Sequence, residues 1–395
     1  RLGLAAKPAH IVPNHMLVQF SREFQELYPT AHVMVADEEN FHTANRHQFV
    51  ARAALNDPDA IIITHSAFGR IGVSDEFNDR YVQSLIDEYL ALKEEAEGDR
   101  TTIKQIERRL EALERRLSGK TDQSKKDKAL TFEELGVDRL YVDEFHEFRK
   151  LDFPTNRGNV KGIDPTGSQR SMDLHMKIQY LESKNANRSV VAASGTPVTN
   201  TMGELFTAQR FLQPAQLQED GLANFDAWAN QFGEVVSGFE QNPSAGYEVV
   251  SRFARFVNVP DLMRRVRSFM DVLTSDQLGG LVQRPTVVGG GREIVVTPVP
   301  EGYTAYQKTL EARIKSIRER SGRPAKGDDI ILRVISDGRF SAIDMRFVNP
   351  TQGSDPDSKL NRMLDDVIEA YRDTADWEYH TDATPDQKRG ASLMV

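Results

Sequence analysis

The sequence predicts an α/β fold in which helices flank a parallel sheet and a helical hairpin is inserted between two strands. Three observations carry that expectation. Short apolar runs alternate with amphipathic stretches through the opening third, the pattern of strands joined by crossover helices. One run, Ala60-Ile61-Ile62-Ile63, is apolar enough to be buried on both faces of a sheet. A charge-dense segment, 81–130, then breaks the pattern with Ile103, Ile106, Leu110, Leu113 and Leu117 at steps of three and four, a heptad seam.

The elements follow in order. Ala9 to Val12 reads as a strand, Pro13-Asn14 as a turn, and Met16, Leu17, Phe20, Phe24 and Leu27 share one helix face. Val33 to Ala36 and Ala60 to Thr64 are further strands. Leu85, Tyr89 and Leu92 mark a helix that Gly98-Asp99 turns back into the heptad seam, and Lys120 to Lys128 forms a lysine-rich return. Such an insertion reads as a solvated spacer or as a seam that docks a partner. Arg139-Leu140-Tyr141-Val142 is the next strand, Ser171 to Leu181 a helix, and Arg188 to Ala193 a strand. A mostly helical extension is expected over 205–280, with Phe211, Trp228, Phe232, Phe253 and Phe256 in its core. A glycine linker at 289–292 precedes a strand from Glu293 to Val299 and a charged helix from Tyr303 to Arg320.

Composition narrows the function classes. The 395 residues, 39% hydrophobic and 28% charged, suffice for two domains with their own cores. No run approaches the roughly 18 consecutive apolar residues of a membrane span, and the opening residues lack the layout of a secretory signal. With no cysteine, disulfides, thiolate metal sites, iron–sulfur clusters and cysteine nucleophiles are excluded. A net charge of −9 confines any nucleic-acid contact to a local groove. The chain starts on Arg1 and ends on Gly390-Ala391-Ser392-Leu393-Met394-Val395, which reads as a strand cut in progress, so a fragment of a longer protein is expected.

Two strand ends carry candidate chemistry. Asp143-Glu144-Phe145-His146 emerges at the carboxyl end of a buried strand, where ligands of parallel sheets bind. Adjacent acids there can divide the labour of nucleotide hydrolysis: one holds magnesium through its water shell and the other polarises the attacking water. The bland alternative is a solvated strand cap. Ser194-Gly195-Thr196-Pro197 also follows an apolar strand, and its alternative is an ordinary tight turn. About fifty residues and a helix separate the two, which would set their tips side by side on one sheet edge. Other patterns fail. Gly289-Gly290-Gly291 lacks dinucleotide-fingerprint spacing, His146-Glu147 continues to Lys150 where a zinc-protease helix needs histidine, and His42 and His47 lack a third ligand.

These motifs together resemble the superfamily-two helicases and translocases of the Swi/Snf-like branch. Tyr141-Val142-Asp143-Glu144-Phe145-His146 is similar to their motif II, the DExH form of Walker B. Ala193-Ser194-Gly195-Thr196-Pro197-Val198-Thr199-Asn200-Thr201-Met202-Gly203-Glu204-Leu205 is similar to motif III. Ile11 to Phe20 with Arg22-Glu23-Phe24 resembles motif Ia, and Ile63-Thr64-His65-Ser66-Ala67-Phe68 stands where motif Ib falls. The resemblance spans roughly residues 1 to 290 and weakens beyond. Within the branch, Thr131 to Asp138 and Gly167-Ser168-Gln169-Arg170 resemble large bacterial and phage proteins that join a helicase region to an adenine-specific DNA methyltransferase. No methyltransferase motif is present in this sequence.

The resemblance implies a RecA-like first lobe over 1–288, and the beginning of a second RecA-like lobe over 293–395, with Ala391 to Val395 opening its first motif strand. It implies ATP and magnesium as cofactors, DNA as partner, a fused or associated methyltransferase, and a cytoplasmic location in a bacterial or phage-infected cell. Asp143 would hold magnesium, Glu144 would activate water, and His146 with Ser194, Gly195 and Thr196 would couple phosphate state to DNA. Pro13, Asn14, His15 and Ser66 would track the DNA backbone. Arg264, Arg265 and Arg267 are DNA candidates on charge alone. Gly-x-x-x-x-Gly-Lys-Ser/Thr, the Walker A cradle, is absent, as is the arginine-bearing motif VI. Two rivals stand beside this reading: a non-catalytic scaffold for nucleic acid or a partner, and a magnesium-dependent nuclease using the same acids.

Overall fold

The computed structural model describes residues 5–389 apart from 38–39, 43–44, 96–99, 119–130, 159, 186–188, 200, 242–246, 279–290, 292–293, 321–323, 326 and 382–383. Contacts divide the chain into two units, residues 1–238 with 249–272, and 239–248 with 273–395.

The first unit is built on five parallel strands: β1 (Pro8–Val12), β2 (Val33–Ala36), β3 (Ala60–Thr64), β4 (Arg139–Val142) and β5 (Val190–Ala192), in the order β2-β3-β1-β4-β5. The expected mixed α/β fold, a parallel sheet flanked by helices, is therefore the one observed. Ile11 of β1 lies between Ile63 of β3 and Val142 of β4. All five residues of β3 are buried, as its unbroken apolar run demands. The crossovers are helical: α1 (Leu17–Leu27) after β1, α2 (Arg46–Leu55) after β2, and α3 (His65–Phe68) directly after β3. One sheet face buries Ile11, Ile63, Leu140 and Val142 with Phe68, Phe132, Leu174 and Phe211. The other packs Val12 and Ile62 beneath Leu17, Phe20 and Phe24 of α1.

The insertion consists of α4 (Asp75–Glu95) and α5 (Arg100–Leu117), beginning six residues before the expected 81. Its seam is filled from within. Ile106, Leu110 and Leu113 pack on Leu85, Tyr89 and Leu92 of α4 and on Met172 and Met176 of α6 (Gln169–Glu182). That apolar stripe is spent inside the unit, so it is neither a bare spacer nor a vacant docking face. The Gly98-Asp99 turn and the Lys120 to Lys128 return lie outside the described residues.

The stretch expected to be mostly helical over 205–280 is mixed. It holds α7 (Gly203–Leu212), α8 (Pro214–Glu219) and α9 (Phe225–Phe232), then β6 (Gly233–Gln241) paired with β7 (Tyr247–Phe256), then α10 (Val259–Phe269) and α11 (Ser275–Leu278). β-Branched and aromatic residues at Val235, Val236, Tyr247, Val249 and Val250 favour strand over helix. Gly233 must be glycine: a Cβ there would fall within 2.0 Å of the Phe253 ring. Trp228, Phe232 and Phe253 are buried as expected, with Phe256 packed at the margin, while Phe211 joins the sheet core.

The second unit also departs from expectation. It contains α12 (Tyr303–Glu319), α13 (Ile331–Ile343), α14 (Lys359–Thr374) and an antiparallel pair, β8 (Glu378–Thr381) and β9 (Thr384–Arg389). Among its described residues no parallel strand opens a second RecA-like lobe. The run expected as a strand from Glu293 to Val299 is without strand pairing over 294–299, and Ile294 and Val296 are 77% and 86% exposed. An apolar β-branched run becomes a strand only when a neighbour pairs with its backbone groups. Of the glycine linker only Gly291 is described, and Ala391 to Val395 lie outside the described residues.

One buried charge pins α3 to the sheet domain. Lys177 of α6 is fully buried, donates from Nζ to Phe68 O and to Asp173 Oδ2, each at 2.7 Å, and lies 3.9 Å from the centre of the Phe68 ring. Removing the ammonium alone would take its ion-pair partner from the buried Asp173 carboxylate and a donor from Phe68 O. Lys177→Met is expected to destabilise the protein by about 3–5 kcal/mol in denaturant titration, and Lys177→Met with Asp173→Leu to recover most of that loss.

Candidate functional site

The carboxyl edge of the sheet brings together the ends of β1, β3, β4 and β5. Asp143 follows β4 without a break, and its backbone N–H donates to Ile11 O of β1 at 2.9 Å. Phe145 N–H donates to Ala193 O, just past β5, at 2.9 Å. Between them Glu144 takes the left-handed conformation, φ 48° and ψ 48°, which costs a side-chain-bearing residue about 1–2 kcal/mol. The surroundings over-determine it. Glu144 N–H donates to Asp143 Oδ1 at 2.9 Å, Glu144 O accepts from Glu147 N–H at 3.0 Å, and Asp143 O is bonded to His65 Nε2 at 2.9 Å. Backbone strain held this firmly is characteristic of functional positions.

His146 lies among Glu144, Ser194 and Glu147, the last 3.7 Å from its Nε2. Its Nδ1 lies 2.9 Å from Glu144 Oε2 and 3.2 Å from Ser194 Oγ. Ser194 Oγ also accepts from Thr196 N–H at 3.1 Å, which folds the Ser194-Gly195-Thr196 turn back on itself. A Cβ added at Gly195 would meet nothing within 4 Å, so the turn stands open. The Glu144 side chain is 45% exposed and meets solvent. On the far side, Glu147 Oε2 receives Arg170 at 2.7 Å.

The two tips are braced from behind. Buried Glu204, at the start of α7, accepts Thr199 N–H at 2.7 Å and pairs with Arg149 Nε at 3.1 Å. Thr207 Oγ1 donates to Arg149 O, and Arg210 donates to Asp152 O, both at 2.9 Å. The segment leaving the acid pair and the segment leaving the hydroxyl turn therefore share one helix as their anchor.

The expected DNA-facing residues divide. Asn14, His15 and Ser66 are exposed and Pro13 half-buried, and Ser66 Oγ donates to Asn14 Oδ1 at 3.0 Å, so the ends of β1 and β3 touch. Arg265 is engaged elsewhere: it pairs with Asp261 and with Asp220, whose carboxyl it holds below the usual range, and it is 19% exposed. Arg264 also pairs with Asp261, leaving Arg267 with the strongest remaining case on charge. α10 packs through Leu262 and Val266 on the Trp228 and Phe232 core, not on the sheet. Asn200 lies outside the described residues.

Sequence reasoning missed His65. It is 8% exposed, packed edge-on to Phe148 at 5.0 Å, and its burial holds its pKa below the ordinary histidine value, outweighing the bond to Asp143 that favours the charged form. The available signal was a histidine straight after a fully apolar strand, with Thr64 as its helix cap.

Comparison with known proteins matches residues 1–274 to a family described as "Probable helicase domain". The chain belongs to that helicase-domain family. It is also similar to the "Defense against restriction protein B" of Escherichia phage P1, 24% identical over 269 residues, which is 67% of this chain and 12% of that protein. The chain thus spans about one eighth of that relative's length. Among solved structures it is similar to the Sulfolobus solfataricus SWI2/SNF2 ATPase core in complex with dsDNA, with TM-score 0.32, 13% identity, and coverage of 95% of this chain and 55% of that one. No described helix is long and apolar enough to cross a membrane.

The strain at Glu144 is open to direct measurement. Glu144→Gly should make the protein more stable by about 0.5–1 kcal/mol, the relief of the left-handed conformation less the added freedom of the unfolded chain. Calorimetry that finds it destabilised would mean the side chain contributes more to folding than its backbone costs.

Proposed function

We propose that the intact protein hydrolyses ATP at the β4 and β5 tips and uses the hydrolysis to move along duplex DNA. The observation that carries this reading is the contact between His146 and Ser194, which joins the acid tip to the hydroxyl turn across neighbouring parallel strands. Parallel sheets bind ligands at this edge, and the helicase-domain family supplies the class of activity.

In this reading Glu144, partly exposed and 2.9 Å from His146 Nδ1, takes a proton from the attacking water. His146 holds that carboxylate in place and passes its position to Ser194, so a shift in one tip is felt in the other. Asp143, half-buried with Oδ1 committed to Glu144 N–H, keeps its second oxygen for a water of the magnesium shell. Magnesium, when bound with the nucleotide, neutralises phosphate charge. Among the described residues no group of three or more histidine, aspartate or glutamate side chains is arranged to hold an ion.

Among the described residues β5 is an edge strand of the sheet, and Val191 is 46% exposed. Polypeptide outside these 395 residues, pairing along β5 and bearing the lysine and glycine-rich turn, would complete the pocket beside Glu144 and Ser194. DNA would run over Asn14, His15 and Ser66, and its contacts would be to the backbone and strongly salt-sensitive. A joined or associated methyltransferase is part of the same proposal.

The test uses the full-length protein. Glu144→Gln should lower DNA-stimulated ATP hydrolysis at least 100-fold while nucleotide affinity stays within a few-fold. Equal rates in Glu144→Gln and wild type would remove the residue from this role, and DNA cleavage with magnesium alone would favour the nuclease.

A further inference from the structure

We propose that the His65–Ser66 pair is the joint through which DNA contact reaches the acid pair, with His65 acting as a positioning residue. The proposal rests on the reading above and adds a part that reading does not contain. Two consecutive side chains at the start of α3 reach in different directions. Ser66 Oγ donates to Asn14 Oδ1 at 3.0 Å, at the tip of β1, and His65 Nε2 bonds Asp143 O at 2.9 Å, at the tip of β4. A carbonyl only accepts, so Nε2 carries the proton and donates it. His65 thus holds the peptide that leads into the left-handed Glu144.

The joint is stiff everywhere except on its DNA side. Thr64 Oγ1 accepts Ala67 N–H at 3.2 Å and lies 3.2 Å from Ser66 Oγ, which fixes the first turn of α3. At the other end of this one-turn helix, Lys177 holds Phe68 O at 2.7 Å. The His65 ring is wedged against Phe148, in the helical turn that follows the acid pair. Of the residues that form the joint, Asn14 and Ser66 are the exposed ones. A phosphate that draws on Asn14 or Ser66 therefore tilts the start of α3 about its Lys177 anchor, and His65 carries that tilt to Asp143 O. β1 already meets Asp143 through the ladder bond to Ile11 O, and His65 adds the side-chain link from the end of β3 to the same residue.

Two substitutions separate the donor from the ring. His65→Phe keeps the packing on Phe148 and loses the N–H, whereas His65→Gln restores a donor at comparable reach. In the full-length protein, His65→Phe should reduce the ratio of DNA-stimulated to DNA-free hydrolysis at least tenfold with DNA affinity within twofold of wild type. His65→Gln should return that ratio to within threefold of wild type. An unchanged ratio in His65→Phe, an equal loss in both variants, or a parallel loss of DNA affinity would each overturn the joint. A second readout needs no turnover: hydrogen exchange at residues 143–146 should change when duplex DNA binds wild type and stay unchanged in His65→Phe. Absence of hydrolysis in wild type would end the motor reading alone, whereas unaltered exchange at 143–146 in DNA-bound wild type would end the joint.

Discussion

The parallel pairing of β4 with β5 is the constraint on which the chemistry of this chain depends. It sets Leu140 opposite Val190 and Val142 opposite Ala192, so both strands run out at the same level. Each then ends in a short polar segment that the other holds in place, Phe145 N–H on Ala193 O and His146 on Ser194. Shifting the register by one residue would reverse which side chains enter the core. It would also part the acid pair from the hydroxyl turn.

Around that pairing the molecule has put rigidity where loops normally move. The left-handed Glu144 is held by backbone bonds on either side, and the strands that precede it are buried on one or both faces. α7 braces the tips from behind through Glu204, Thr207 and Arg210, and Lys177 anchors α3 from below. Glu144 and the Ser194 turn remain open to solvent in front. A carboxylate that must act on water benefits from this arrangement, because geometry fixed before the substrate arrives need not be organised during reaction.

Much of this was legible in the sequence because it depends on local pattern. The β2, β3 and β4 boundaries follow from apolar runs bounded by turn residues, and the strand ends follow from polar residues at the limits of those runs. What escaped depends on tertiary context. β6 and β7 alternate too weakly to outweigh the helical stretches around them, and β7 is positioned partly by Phe253 seated against Gly233. The 294–299 run is rich in β-branched residues but shows no strand pairing among the described residues. The heptad seam was visible, but its burial on Met172 and Met176 was not, because those residues lie more than fifty positions away. At the site, Asp143, Glu144, His146 and Ser194 could be read from motif position. His65 stands straight after a fully apolar strand, but that local signal does not specify its bond to a backbone carbonyl 78 residues on, which is a tertiary contact. Arg265 looked available on charge, and only the fold reveals that Asp220 and Asp261 already claim it.

The central claim is that the two strand tips face one phosphate site, and backbone cleavage by a bound metal tests it most directly. In the full-length protein with ATP, ferrous iron in place of magnesium, with ascorbate and peroxide, should cut the chain near residues 143–146 and also near 194–196, and omission of nucleotide should suppress both. Cuts at only one of these segments, or a pattern indifferent to nucleotide, would contradict the shared site.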